Sequence, residues 1–413
     1  MNRMKVLIIA YACNPTGTSE PAIGWNFIRQ ISKYCDLSVL TRNNERDSIT
    51  SFIADANDPD LINIKWFYYD LPDWVLYLKK RVLGIQLYFK LWQWGAYRKY
   101  KKSFKTKEFN IINHLNFGIN WMPSPFYKLG DNFVWGPVGG GDIIPWPFLR
   151  KERLFCILRE TCYRIIIAYG KYLSLSNRKC RDNSKAVLFR TNSVLRGFPL
   201  QDGKTKKYVV CETGCQVQEV SPLNLDFDTI HAIAVSRLDY WKGMIYAVKG
   251  FHRFLQLGGK GKLTVIGRGS ELRALKQYIK LHKLENFINL VGQLKYAAYQ
   301  AELRNSNVLI YPSFRDGGSF VVLESMFLGL PIICNSLTGP YEMVTEEAGL
   351  IIDSSSIENY IESIGKRLLE LQTNPDIGNK KGKSVRLRAE KYYTWEARGK
   401  QLFEVYQDVF NAS

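Results

Sequence analysis

"NVLIYPSFRDGGSFVVLESMFLGLPII", residues 307–333, opens with a short apolar run and passes through a turn rich in Pro, Gly and Ser. It continues as a longer apolar run broken by Glu324 and ends, after Gly329, in a second short apolar run. That order reads as strand, loop, helix and strand, the repeating unit of a parallel sheet covered by helices. The loop carries Asp316, two glycines and Ser319, and a second carboxylate, Glu324, follows Asp316 by eight positions.

The same rhythm extends in both directions. "HAIAVSR", "KLTVIGR", "INLVGQ" and "LPIICNS" predict further strands in the second half, and "KVLIIAY", "LSVLTR", "NFVWGP" and "AVLFRT" predict strands in the first, with helical patterns between them. The fold class is therefore α/β, with two doubly wound, Rossmann-like parallel sheets. A chain of 413 residues is long enough for two domains. The stretch "CETGCQVQEVSPLNLDFDTI", residues 211–230, lacks periodicity and holds the expected linker. The domains are drawn at 1–215 and 216–390, with a terminal helix over 391–413.

Composition narrows the function classes. With 46% hydrophobic residues and ten Trp, the chain is globular rather than disordered or fibrous. Its net charge of +19 is unevenly spread, because 33 Lys and Arg against 17 Asp and Glu fall in residues 1–215 and 24 against 21 in the rest. A basic first half points to a polyanion or an anionic membrane. The eight cysteines lack paired metal-site spacing and read as reduced thiols of a cytosolic chain. The apolar run Val6–Ala12 is short for a signal sequence and reads as a buried first strand.

In doubly wound sheets, ligands sit beyond the carboxyl ends of the strands. There, "VSRLDYWKG" offers Arg237 and Lys242, a fork and a point charge suited to one anion, although a solvated surface pair has the same spacing. "VIGRGSEL" places Gly267 and Gly269 between strand and helix, and "LVGQL" ends a strand at Gly292. Gly318, Ser319 and Phe320 lead into a helix N-terminus, whose free N–H groups and dipole favour a phosphate. Carboxylates such as Asp316 and Glu324 accept from hydroxyls, so the set suits a nucleotide-sugar, with phosphates in the middle and sugars at each end.

In this order, "VSRLDYWKG", "VIGRG", "LVGQ" and "NVLIYPSFRDGGSFVVLESMFLGLPII" resemble the C-terminal domain of the family 4 retaining glycosyltransferases of GT-B fold. "ACNPTGTSEPAIGW" and "VWGPVGGGD" resemble N-terminal motifs of a bacterial polysaccharide-assembly branch. The resemblance implies two domains facing a cleft, with the terminal helix packing back on the first. It implies a hexosyltransferase reaction with retention of anomeric configuration and no cofactor beyond the nucleotide-sugar substrate, and no metal is expected because Arg237, Lys242 and the helix N-terminus already offset the diphosphate charge. It assigns the donor diphosphate to Arg237 and Lys242, the ribose to Glu324 and the transferred sugar to Asp316. The acceptor is then a glycan, lipid-linked, in the synthesis of a capsule or exopolysaccharide. Two positions depart from the family pattern. Asp316 stands where Glu is usual, and Gly317-Gly318-Ser319 replaces Gly-Phe-Gly.

The first half supplies acceptor candidates. Glu20 lies in the first strand-to-helix loop, where it either meets acceptor or caps a helix beginning near Pro21. Gly139, Gly140 and Gly141 end a strand in a row, which is costly unless the backbone must pass close to something. Asp142 beside them suits an acceptor hydroxyl or a helix N-cap equally well. The family often has a histidine at the end of a strand near the reacting centre. "FVWGPVGGG" has none, and His114 in "IINHLNFG" is the nearest candidate, although a histidine after an apolar run is more often structural.

Residues 74–107 contain ten Lys and Arg, nine aromatics and no acid. This pattern predicts a segment lying in the plane of an anionic membrane and too interrupted by charge to span it, with packing into the first domain as the alternative use of its rings. The protein is thus expected on the cytoplasmic face of the cell membrane, and no nucleic-acid motif accompanies the charge. Two other readings stay open: a metal-dependent transferase using Asp226 and Asp228 of "DFD", and a non-catalytic subunit of an assembly complex.

Overall fold

The computed structural model describes residues 3–78, 84–104, 109–199, 204–216, 223 and 225–411. The chain divides into two compact units. The first comprises residues 1–141, 165–214 and 395–413, and the second 142–164 and 215–394. With its sheets and helices arranged as below, the fold is the α/β, two-domain GT-B type.

The first unit is built on seven parallel strands: β1 (Met4–Ile9), β2 (Cys35–Arg42), β3 (Lys65–Tyr69), β4 (Ile111–His114), β5 (Phe133–Val138), β6 (Ala186–Phe189) and β7 (Lys206–Val209). Their order is β3-β2-β1-β4-β5-β6-β7. The second unit holds six parallel strands: β8 (Ile230–Val235), β9 (Gly261–Ile266), β10 (Ile288–Gly292), β11 (Val308–Tyr311), β12 (Ile332–Asn335) and β13 (Leu350–Ile352). Their order is β10-β9-β8-β11-β12-β13. Strands such as β4, β5, β11 and β12 are buried at every position, as parallel strands covered on both faces must be, which is why they read as unbroken apolar runs.

Strand order reverses between β1 and β4 in the first unit and between β8 and β11 in the second. Successive connections leave such a point in opposite directions and open a crevice at the carboxyl ends of its two strands. In the first unit these ends are the loops before Glu20 and after His114, and in the second those after Val235 and Tyr311.

Residues 142–164 lie in the second unit although the chain on either side of them lies in the first. Phe148 joins the aromatic core there, with ring centroids 4.7 Å from Phe314 and 5.1 Å from Tyr360. The last helix, Trp395–Asn411, packs within the first unit. Trp395 meets Phe27 edge-on, and the Tyr406 hydroxyl donates to buried Asn113 at 2.8 Å.

The basic, aromatic stretch 74–107 divides between core and surface. In the helix Gly84–Tyr100, the buried rings of Tyr88, Phe89 and Trp92 recur at helical spacing and pack around Tyr11. Trp74, Tyr77, Ile85, Leu87 and Leu91 remain exposed. Five of the segment's cations, Lys79, Lys80, Arg81, Lys105 and Lys107, fall outside the described residues. Among the described residues no helix is long and apolar enough to cross a membrane. All eight cysteines are free.

Candidate functional site

At the β8–β11 reversal of the second unit, two loops that are far apart in sequence come together. The loop after β8 turns through Tyr240–Lys242, and Gly243 takes the left-handed conformation that starts the next helix. A side chain at Gly243 would also overlap the carbonyl of Pro312, so the two loops touch through backbone. Lys242 Nζ donates to Asp316 Oδ2 at 2.7 Å and to the Arg315 carbonyl at 3.1 Å. The Tyr311 hydroxyl donates to the same Asp316 oxygen, and the Gly318 amide donates to Oδ1 at 3.3 Å. An ammonium has three N–H groups, so Lys242 retains one for a further acceptor.

Beyond Asp316 the chain enters the helix Phe320–Leu328. Ser319 is its N-cap, and the hydroxyl accepts from the Val322 amide at 3.4 Å. By helix geometry the amides of Phe320 and Val321 have no acceptor within the helix, and the dipole adds partial positive charge at that end. Glu324, one turn on from Phe320, accepts from Tyr296 at 3.3 Å and from Tyr299. Burial pushes its carboxyl above the usual range, with the two hydroxyls acting in the opposite sense. The Tyr296 phenol in turn is pushed up to about 12 by burial and by the Glu324 charge. A carboxylate offers about four lone-pair sites, so Glu324 can accept two more hydroxyls.

A cavity of about 530 Å³ adjoins these groups and is lined among others by Arg237, Gly267, Arg268, Gln293, Tyr296 and Tyr299. Arg237, with its side chain 69% exposed, is held by Asp239 at 2.7 Å and lies over the Trp241 ring. Gly267 and Gly269 have packing reasons as well, since side chains there would overlap the carbonyls of Ser236 and Leu238. Gly292 sits at φ +76° with open space around it, and its carbonyl accepts from Gly267 at 2.8 Å.

Sequence reasoning missed the support beneath this loop. Glu160 is completely buried, and Arg315 Nη2 donates to both of its carboxylate oxygens. The same guanidinium lies 4.1 Å over the Tyr163 ring, and its Nε donates to the Asp142 carbonyl at 2.9 Å. The residue next to Asp316 is thus clamped by residues about 150 to 170 positions earlier in the chain. Tyr296, Tyr299 and Tyr311 were also unread, as was Gly339, whose amide donates to the Asp316 carbonyl at 2.8 Å.

The other candidates are placed as follows. Asp226 and Asp228 precede β8, at the amino end of the sheet and away from the loops just described, and Asp226 Oδ1 accepts from the Asp228 amide. Among the described residues no group of three or more His, Cys, Asp or Glu is arranged to hold a metal. Asp142 belongs to the second unit, and the helix that follows it starts at Trp146 behind Pro145, so Asp142 is not its cap. In the first unit, Glu20 and Gly139 meet around Arg190. Its Nη2 donates to Glu20 at 3.0 Å, its Nε lies 2.8 Å from Glu212, and a side chain at Gly139 would overlap it. Glu20 also accepts from the Phe117 amide at 3.4 Å. His114 is buried, its Nε2 3.1 Å from the Asn116 carbonyl, and burial lowers the imidazole to about 4 against that bond. It is neutral at ordinary pH, with its ring against Phe89. Gly140 and Gly141 both have positive φ.

Known proteins share this framework. Residues 219–384 match the family described as glycosyl transferases group 1. The chain is 26% identical over 213 residues to the poly(glycerol-phosphate) alpha-glucosyltransferase of Bacillus subtilis, covering 51% of this chain and 31% of that one. It is 26% identical over 254 residues to a GDP-mannose-dependent monoacylated alpha-(1-6)-phosphatidylinositol monomannoside mannosyltransferase of Corynebacterium glutamicum, covering 56% and 64%. The chain thus spans less than two thirds of either relative. Among solved structures, Anabaena HepE in complex with UDP and glucose superposes with a TM-score of 0.56 at 14% identity, over 98% of this chain and 99% of that one. The sequence matches are thus to glycosyltransferases, and the likeness to HepE is one of fold.

Glu160→Ala is expected to destabilise the second unit by about 3–5 kcal/mol, because it leaves the largely buried Arg315 guanidinium without its carboxylate partner. Urea unfolding followed by circular dichroism measures this. Replacing both partners by apolar residues, Glu160→Leu with Arg315→Met, should restore most of the loss. A wild-type midpoint in the single variant would show that the pair carries no weight.

Proposed function

We propose that the protein is a retaining hexosyltransferase that moves a sugar from a nucleotide-sugar to a lipid-linked glycan in cell-surface polysaccharide synthesis, without a metal ion. The observation that carries this reading is the convergence at the β8–β11 reversal of Lys242, the N-terminus of the helix Phe320–Leu328 and Glu324, each with hydrogen-bonding capacity to spare. Donor diphosphate would take the remaining Lys242 N–H and the amides of Phe320 and Val321, with Arg237 at the rim of the cavity. Ribose hydroxyls would donate to Glu324. Charge that develops on the leaving phosphate then meets fixed donors that need no reorganisation. Asp316, held by Lys242 and Tyr311, would accept from a hydroxyl of the transferred sugar. No side chain is assigned as nucleophile, so retention would follow from front-face attack assisted by the leaving phosphate.

The acceptor would be served by Glu20 and Gly139–Gly141 of the first unit. The exposed rings and cations between Trp74 and Lys102 would hold the protein on the cytoplasmic face of an anionic membrane, where each basic side chain contributes about 1 kcal/mol.

Lys242→Ala should lower kcat/KM by roughly a hundredfold or more, and Glu324→Ala should raise KM for the donor most, with circular dichroism unchanged in both. Wild-type kinetics in both variants would sink the donor assignment. A wild type that neither binds nor turns over any of a panel of UDP-, GDP-, dTDP- and ADP-sugars would favour the non-catalytic subunit instead. Transfer should persist in EDTA, and a complete, magnesium-reversible loss would revive a metal mechanism.

Donor affinity should also fall on acidification. Glu324 accepts ribose hydroxyls as a carboxylate, and its raised pKa means that this form is full only above the usual carboxylate range and is lost as pH drops through the folded-state value. Calorimetric titration with the best-binding nucleoside diphosphate across pH would show the fall in wild type and its absence in Glu324→Gln. An identical profile in the two proteins would remove Glu324 from the ribose site.

A further inference from the structure

Residues 142–164 belong to the second unit, and the helix that starts there at Leu154 carries Arg159, Glu160 and Tyr163. Residues three and four apart are neighbours on a helix surface, so these three share one side of it. Between them they reach both loops of the β8–β11 reversal. Glu160 and Tyr163 take the loop after β11. Both Glu160 carboxylate oxygens accept from Arg315 Nη2, and the Tyr163 ring centroid lies 4.1 Å from the same guanidinium. Arg159 takes the loop after β8. Its guanidinium lies 4.8 Å from the centroid of the Trp241 ring, which Arg237 also approaches, at 5.4 Å. The two loops are tied to each other by backbone as well, the Phe314 amide donating to the Trp241 carbonyl at 2.9 Å.

Three observations give this contact a use beyond packing. Arg315 Nε and Nη2 are spent on the Asp142 carbonyl and on Glu160, so the guanidinium serves protein groups although it stands next to Asp316 in the chain. The Arg315 carbonyl accepts from Lys242 Nζ at 3.1 Å and from Ser313 Oγ at 3.0 Å, so a shift of Arg315 moves the ammonium as well as the neighbouring carboxylate. Finally, Glu160 is completely buried, and an apolar pair of similar volume stabilises a core as well as an ion pair does. Stability alone therefore does not account for a charged pair here, whereas direction does, because a carboxylate and a guanidinium held at several atoms fix each other's orientation.

We propose that Arg159, Glu160 and Tyr163 are positioning residues for the transfer reaction. They touch no donor, and by gripping Trp241 and Arg315 they set the distance between Lys242, which meets the diphosphate, and Asp316, which meets the transferred sugar. The inference rests on the transferase reading and adds to it a group of residues outside the donor cavity.

The double variant Glu160→Leu with Arg315→Met separates position from stability, because it should keep a urea midpoint near that of wild type. Its loop 313–319 should exchange amide hydrogens about tenfold faster or more. With the nucleotide-sugar that wild type turns over best from a panel of UDP-, GDP-, dTDP- and ADP-sugars, its kcat should fall roughly tenfold to a hundredfold, the cost of a small misplacement at a reacting centre. KM for that donor should change by less than about threefold, since the diphosphate contacts remain. Arg159→Ala, at an exposed side chain, should lower kcat about two- to fivefold with the midpoint unchanged. Wild-type exchange in the loop, or wild-type kcat, in the double variant would overturn the proposal. If the double variant unfolds early, wild-type kcat in Arg159→Ala would overturn it. Faster exchange in the loop together with a wild type that turns over no nucleotide-sugar would leave the brace standing and sink the transferase reading.

Discussion

The reversal of strand order at β8 and β11 is the constraint on which the second unit's chemistry depends. A parallel sheet sends every strand's carboxyl end to the same edge, and only at a reversal do neighbouring loops part and leave a crevice rather than a packed seam. Arg237 and Lys242 follow one of these strands, and Asp316 and the Ser319-capped helix follow the other. Their meeting is a property of the strand order, and the Lys242–Asp316 contact at 2.7 Å records it. Asp316 is held there by Lys242 and Tyr311 together.

Holding that loop still requires something beneath it. Burying Glu160 completely has a desolvation cost that one ion pair recovers only with good geometry and further bonds. Arg315 supplies these by engaging both carboxylate oxygens, stacking on Tyr163 and donating to the Asp142 carbonyl. An apolar pair would serve stability as well, so the value of this one lies in direction. A guanidinium pinned on several sides fixes the backbone at Arg315, and through it the orientation of Asp316. Phe148, from the same segment, packs against Phe314 and anchors the loop from the apolar side.

What the sequence discloses is mostly what lies close together in it. Most strands were readable because burial on both faces leaves unbroken apolar runs, and the polar residues at the second unit's reversal because Arg237 with Lys242, and Asp316 with Glu324, each fall within one strand-to-helix connection. Glu160 was not, since its partner is 155 positions away and nothing in a helical pattern tells which core the helix enters. The same holds for residues 142–164, whose apolar spacing suits either unit. Tyr296 and Tyr299 look like ordinary helix residues until Glu324 is set beside them. His114 follows the usual rule for a histidine after an apolar run. It is buried and neutral, although its place beside the first unit's reversal was visible.

The two reversals also divide the chemistry by how much hydrogen-bonding capacity each leaves unspent. At the first, Arg190 is engaged by two carboxylates, Glu20 and Glu212, so the cation there is neutralised by the protein's own acids and is a poor anchor for phosphate. At the second, one carboxylate meets one ammonium that has a third N–H to give, next to helix amides that the helix cannot satisfy. A diphosphate therefore gains most at the second unit.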